Sequence, residues 1–278
     1  MKKINLIWDT LVKGGVFTSL SAVALIYSVS IILDKPIKIS FLVIVFLLSI
    51  IVYLFNFIGE LKEDFQYEPD EFRKIKKSRS LVWVVIWISI FLSIYLAFTL
   101  GNHLSFSFVL IFLGLGLLYT LVLKKVTYFI TGFKDIFVAI CWNLVIPFFI
   151  FYHGYAFSST VYWVMAIVFT RDLVNASYCD LKDMEVDKKA GLKTFAQVLG
   201  IPKIFQFLKF GNFISVAVLL ISVFLGLLPI SSLILVIAFI ITALLIHRSK
   251  IYSSFSTIAV DSEYFVWVVL MLLVKYVS

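Results

Sequence analysis

Apolar residues run almost unbroken along this chain, and the polar residues gather in short stretches between the runs. The runs near 14–33, 40–58, 81–100, 104–123, 136–152, 158–178, 208–228, 230–246 and 263–277 have lengths suited to crossing a bilayer, the last being the shortest. Inside hydrocarbon every backbone N–H and C=O must be satisfied within the protein, which leaves helices or a closed barrel. Continuous rather than alternating apolar residues select helices. The pattern predicts an all-α polytopic membrane protein with about nine transmembrane helices, forming a single domain over residues 1–278. Ahead of the first run, "INLIWDTLV" alternates as an amphipathic helix would, placing Trp8 at headgroup level. Lys2 and Lys3 precede a stretch, Gly14 to Leu33, that is too long for a signal-peptide core, so a retained first span is expected.

Composition agrees with the pattern. Hydrophobic residues make up 62% of the chain and charged residues 14%, against about a quarter charged in soluble domains. The two cysteines, Cys141 and Cys179, form neither a disulfide framework nor a metal-ligand spacing. A net charge of +8 would suit a nucleic-acid partner, but its placement argues for topology. With a cytoplasmic N-terminus, segments 1–13, 59–80, 124–135, 171–209 and 247–262 hold 21 of the 24 basic residues. Only Lys35, Lys38 and Lys275 fall outside. That is the positive-inside rule at work, and it excludes nucleic-acid binding as the reading of the charge.

Acids follow a rule of their own. Of 16, six lie in 59–80 and five in 171–209. Topology does not ask for acids, and a transporter would carry its ionisable groups near mid-membrane rather than at span ends. On a helix, Asp180, Asp183 and Asp187 fall within about 60° of one another while Glu185 points away. Asn56, Glu60 and Asp64 share a second face, spanning about 80°. Glu60/Asp64 precedes Asp183/Asp187 by 123 residues, and both pairs follow a span on the same predicted side. Carboxylates crowded on one face repel and lose hydration near a membrane. A divalent cation relieves both costs, and hard oxygen donors suit Mg²⁺, which shares its coordination with phosphate oxygens. Two such clusters opposed across a cavity would fit a diphosphate held through metal. Solvated faces paired with the neighbouring lysines are the plainer alternative.

"DLKDMEVDKKAGLKT", Asp180 to Thr194, with Gly200 six residues on, resembles the second Asp-rich motif of the UbiA superfamily of intramembrane prenyltransferases, D-x-x-D-x-x-x-D followed by K-x-G-x-x-T. "YTLVLKKVTYFITGFKDIFVAICW", Tyr119 to Trp142, is similar to that family's tyrosine and Leu-Lys-Lys/Arg stretch at the end of the fourth span. "NFIGELKED" departs from the family's first motif, N-D-x-x-D-x-x-x-D: Asn56 and Asp64 stand, Glu60 replaces an Asp, and Phe57 sits where an Asp is usual. The usual Asn-Lys-Pro-x-Arg-Pro continuation is reduced to "YEPDEFRK".

The resemblance implies a UbiA-like bundle around a central cavity and Mg²⁺-dependent prenyl transfer from a polyprenyl diphosphate to a small acceptor. It implies Asn56, Glu60, Asp64, Asp183 and Asp187 as metal ligands, with Asp180, Asp183 and Asp187 as the catalytic acids. Lys124, Lys125 and Tyr119, together with Arg73 and Arg171, are the candidates for diphosphate contacts. For the two lysines the positive-inside rule is an equal explanation, and Arg73 and Arg171 also suit a loop facing anionic headgroups. The 29 Phe and 13 Tyr suit an apolar tunnel whose π faces stabilise an allylic cation. Asn143 reads as an interhelical hydrogen bond, Asp135 as a helix cap or a cavity-mouth residue, and Gly191 and Thr194 as turn formers. A terpene cyclase of the same family, and a lipid-binding protein without chemistry, remain alternatives. The setting implied is a prokaryotic cytoplasmic membrane, since the Ile-, Lys- and Phe-rich composition points to an AT-rich genome.

Overall fold

The computed structural model describes the backbone of residues 15–64, 69–248, 258 and 260–277, and the side chains of these except 57, 60–64, 69–79, 245–248 and 277. The amphipathic segment around Trp8 lies outside the described residues, as do the side chains of Phe57, Glu60, Asp64 and Arg73. Among the described residues all regular structure is helical. The helices are α1 (Val16–Ile32), α2 (Ile39–Asp64), α3 (Pro69–Leu100), α4 (His103–Leu121), α5 (Phe133–Asn143), α6 (Val145–Tyr152), α7 (Ser159–Ala190), α8 (Phe195–Phe224), α9 (Leu235–Arg248) and α10 (Glu263–Val277). Two 3₁₀ turns, Leu123–Tyr128 and Ile230–Ile234, join them. Among the described residues five stretches are long and apolar enough to cross a membrane: Ile39–Asn56, Ser80–Leu100, His103–Leu121, Phe133–Tyr152 and Phe195–Phe224.

Two compact units share the chain. The first comprises the chain up to Val23 and Lys38–Leu123, the second Ala24–Ile37 and Lys124–Ser278. In the first, α2, α3 and α4 pack on one another around Ile50, Ile51, Leu54 and Ile86. Small residues let α2 and α4 approach: a Cβ on Gly116 would overlap Val52, and one on Gly59 would overlap Thr120. Asn102 caps α4 by accepting from the Ser105 N–H at 2.9 Å. Leu81, Trp87, Ile88, Phe91, Tyr95 and Phe98 of α3 point outward, the face a bilayer would cover.

In the second unit α7 packs against α5 and α8, and α8 and α10 flank α9. Val174, Tyr178 and Leu181 of α7 meet Ala196, Ile204 and Leu208 of α8. Buried Ser215 and Ser222 donate back to their own helix, at Gly211 O and Leu219 O, whereas the buried hydroxyls of Ser177 and Ser232 have no hydrogen-bond partner.

The second acidic segment continues the helix of the apolar run before it. α7 contains neither glycine nor proline from Ser159 to Ala190, so nothing stops it at the end of the apolar run. The first acidic segment likewise stays in α2 as far as Asp64. The fifth span, expected as one run over 136–152, divides at Leu144 into α5 and α6. Pro147 sits in the first turn of α6, where its missing N–H costs no hydrogen bond.

Candidate functional site

α7 presents the second acidic motif. Its 32 residues rise about 48 Å, beyond the roughly 30 Å of a hydrocarbon core. Asp180 and Asp187 are buried, Asp183 is half-buried and Glu185 is exposed, matching the face drawn from the spacing. The helix ends at Gly191 (φ 77°), with Leu192 N–H donating to Asp187 O at 2.9 Å and Gly191 N–H to Lys188 O at 3.1 Å. This is the paired closure that a left-handed glycine permits, and Lys188 and Lys189 suit the negative end of the helix. Thr194 then caps α8, accepting from the Gln197 N–H at 3.3 Å. The K-x-G-x-x-T signature is thus a helix stop followed by a helix start.

The turn is tied down by backbone. Gly132 N–H donates to Lys193 O at 2.8 Å, and Lys193 N–H donates to Thr127 O at 3.0 Å. This fixes the start of α5 against the end of α7. Lys134, on the first turn of α5, lies with its Nζ 2.7 Å from Asp180 Oδ1 and 3.7 Å from Asp187 Oδ2. Nothing in the sequence marked Lys134 apart from its neighbours, beyond its place beside Asp135 at the head of a span. Asp135 is buried beside Asp180, and its Oδ2 accepts from the Phe195 N–H at 3.4 Å. Asp135 therefore binds the head of α8, while Gly132 holds the N-cap position of α5.

Burial pushes the Asp187 carboxyl up to about 6, with Lys134 and Lys124 opposing the rise and Asp180 and Asp183 adding to it. Lys124 is thereby placed within electrostatic reach of Asp187, and Lys125 is exposed. Asp180 Oδ2 and Asp187 Oδ2 are buried with no hydrogen-bond partner. Unsatisfied, crowded, hard oxygens of this kind fit a divalent cation. Among the described residues no three His, Cys, Asp or Glu side chains converge as a finished cage.

Other candidates are positioned differently. In the first unit Tyr119 is buried on α4, and Asn56 Oδ1 is buried without a hydrogen-bond partner. Arg171 lies nine residues, about 13 Å, along α7 from Asp180, and its guanidinium is engaged elsewhere. Its Nε and Nη2 donate to Glu263 at 2.8 and 2.6 Å, Nη1 donates to Asn212, and the Phe239 ring covers it at 4.7 Å. Trp267 and Asn175 complete the shell around Glu263. Beside this pair Tyr264 donates to Asp172. Asn143 joins helices as expected, donating to Met165 O at 2.7 Å.

Comparison with solved structures finds the same fold. A UbiA homolog from Archaeoglobus fulgidus bound to GPP and Mg²⁺ superposes with a TM-score of 0.69 at 15% identity, over 95% of this chain and 98% of that one. An apo UbiA homolog from Aeropyrum pernix K1 gives 0.68 at 14% identity, over 92% and 98%. A digeranylgeranylglyceryl phosphate synthase gives 0.58 at 20% identity, over 98% and 97%. No curated protein matches by sequence. The description of the UbiA prenyltransferase family matches residues 16–269, nearly the whole chain and both Asp-rich segments, and this protein therefore belongs to the UbiA prenyltransferase family.

Proposed function

We propose that this protein transfers a prenyl group from a polyprenyl diphosphate to a small acceptor, within the membrane and with Mg²⁺ bound at the acidic motifs. The observation that carries the reading is the buried Asp180/Asp187 pair, whose orphaned oxygens are what a metal–diphosphate would satisfy. Asp180, Asp183 and Asp187 would hold metal, as would Asn56, Glu60 and Asp64 of the first motif. A Mg²⁺ ion held by these residues would supply positive charge to the departing diphosphate.

The chain's own groups do the rest. Lys124, within electrostatic reach of Asp187, and Lys125 are assigned to the diphosphate oxygens, with Tyr119 and Arg73 as further candidates. Arg171 has no such role in this reading, because Glu263 holds it. The backbone ties from Gly132 to Lys193 to Thr127 keep the carboxylates and the lysine-bearing turn at a constant spacing. Fixed spacing is what makes charge stabilisation effective at the moment of bond cleavage. The motif-bearing helix ends are assigned to the cytoplasmic side.

Pyrophosphate release by the purified protein in detergent tests the reading, with geranyl, farnesyl and geranylgeranyl diphosphates and an acceptor panel. Release is expected only with Mg²⁺ and acceptor, falling about 100-fold or more in Asp183→Asn and Asp187→Asn. Mg²⁺-dependent release without acceptor would replace transfer by cyclisation. No release from folded protein with any donor would overturn the enzyme reading.

A further inference from the structure

Lys134 places an ammonium where two buried carboxylates need a cation, 2.7 Å from Asp180 and 3.7 Å from Asp187. We propose that Lys134 is a displaceable counter-ion for the second acidic motif: it holds Asp180 and Asp187 while they carry no metal, and leaves them for the diphosphate when a divalent cation loads. This rests on the prenyl-diphosphate reading above and concerns how that site is filled.

The argument begins with the cost of burial. Both carboxylate side chains are 7% exposed, and two ionised groups so close and so dry need a positive charge between or beside them. Lys134 supplies it from another helix, so the charge that steadies the motif comes from outside the motif. The arrangement is also incomplete. Asp180 Oδ2 and Asp187 Oδ2 have no hydrogen-bond partner, and at 3.7 Å the ammonium gives Asp187 attraction without a bond.

A divalent cation taking Asp180 Oδ2 and Asp187 Oδ2 would face the ammonium across a single carboxylate, on Asp180 Oδ1, and meet it at Asp187 Oδ2, so the two positive charges repel at close range. Loading metal therefore means moving Lys134. Its side chain is built for that, with four methylenes, three rotatable donors and 18% exposure, more than either acid. A diphosphate brought in with the metal offers it new oxygens and a charge-assisted hydrogen bond. Metal alone must compete with Lys134, while metal and diphosphate together give it somewhere to go. Site loading then becomes cooperative between the two.

The test measures Mn²⁺ binding by loss of the free-ion EPR signal, with wild type and Lys134→Met in detergent, both checked for folding by gel filtration. Without diphosphate, Lys134→Met is expected to bind Mn²⁺ about fivefold or more tighter. At saturating Mn²⁺, geranyl S-thiolodiphosphate is expected to bind the variant about tenfold more weakly. A lysine that only braces the fold would weaken both or move neither. Unchanged or weaker Mn²⁺ binding in folded variant would overturn the proposal, and with wild type still active it would leave prenyl transfer standing. Tighter Mn²⁺ binding with no thiolodiphosphate binding to either protein would support the counter-ion and remove the prenyl-diphosphate reading. Lys134→Gln, which keeps a donor, stands in if Lys134→Met aggregates. Variants that fold only with millimolar Mn²⁺ would support the proposal, and variants that metal cannot restore would overturn it.

Discussion

Arg171 and Glu263 form a two-pronged ion pair with no exposed side-chain surface on either partner. Taking two charges out of water is expensive, and neighbours offset it: Asn212 accepts a further guanidinium hydrogen, and Asn175 and Trp267 donate to the Glu263 oxygens. Removing one partner strands the other. Glu263→Leu alone is expected to cost about 3–5 kcal/mol, read as a shift in the midpoint of SDS unfolding, and Arg171→Leu/Glu263→Leu to cost clearly less than either single change. A double variant as damaged as the singles would deny the coupling. This pair was not legible in advance. Arg171 stands at the end of an apolar run like any positive-inside residue, and its partner is 92 residues away, at the head of a span with nothing else to single it out. Lys134 was opaque for the same reason, since its meaning depends on two acids from a different helix. By contrast Asn143 and Glu185 were legible, because a lone amide among apolar residues needs a partner and helical spacing alone turns Glu185 outward.

Among the elements, α7 shows what hydropathy sees and what it misses. The apolar run ends near Tyr178, but the helix continues to Ala190, since charge interrupts a hydropathy plot without interrupting backbone hydrogen bonds. The carboxylates consequently ride on a rod anchored by its neighbours, and they hold their spacing better than a loop would allow. The stop at Gly191 was readable from the glycine and the lysines before it. The docking of α5 was not, because it depends on a glycine whose reason lies elsewhere. Gly132 has φ 71°, and a Cβ there would overlap the Phe195 ring at the head of α8. Gly132→Ala should therefore lower stability by about 1–3 kcal/mol and reduce pyrophosphate release. Adding Phe195→Leu should recover only the steric part of that loss. Full recovery, measured by thermal unfolding in detergent, would mean that the backbone conformation costs nothing.

For the molecule as a whole, the charge distribution makes the sharpest prediction. A topology that follows the positive-inside rule with nine spans would put the end of α7 and the end of α10 on opposite faces of the membrane. In a background lacking Cys141 and Cys179, Lys188→Cys and Lys275→Cys, both exposed, should react with an impermeant maleimide from opposite sides of oriented vesicles. Labelling of both from one side would remove the odd number of crossings between them, and labelling with the two sides exchanged would remove the assigned orientation. The helical class was legible from composition, because bilayer physics leaves few choices to a chain this apolar. Five spans stand by length and apolarity among the described residues. Three of the remaining expected spans correspond to α1, α9 and α10, which have 17, 14 and 15 residues, and in α7 the motif's charges blur the count.

The bond from Lys193 to Thr127, and its companion from Gly132 to Lys193, run between main-chain atoms, and that shapes what mutation can notice. A saturation scan should find the exposed Lys193 largely indifferent to the identity of its side chain, as if the position carried no information, while the fully buried Thr127 should accept only small replacements. Proline is the exception at Lys193, because it deletes the amide hydrogen that reaches Thr127. Such a position would look neutral in nineteen columns of a fitness map and lethal in the twentieth, with the alphabet blind to a contact that the backbone alone spells out.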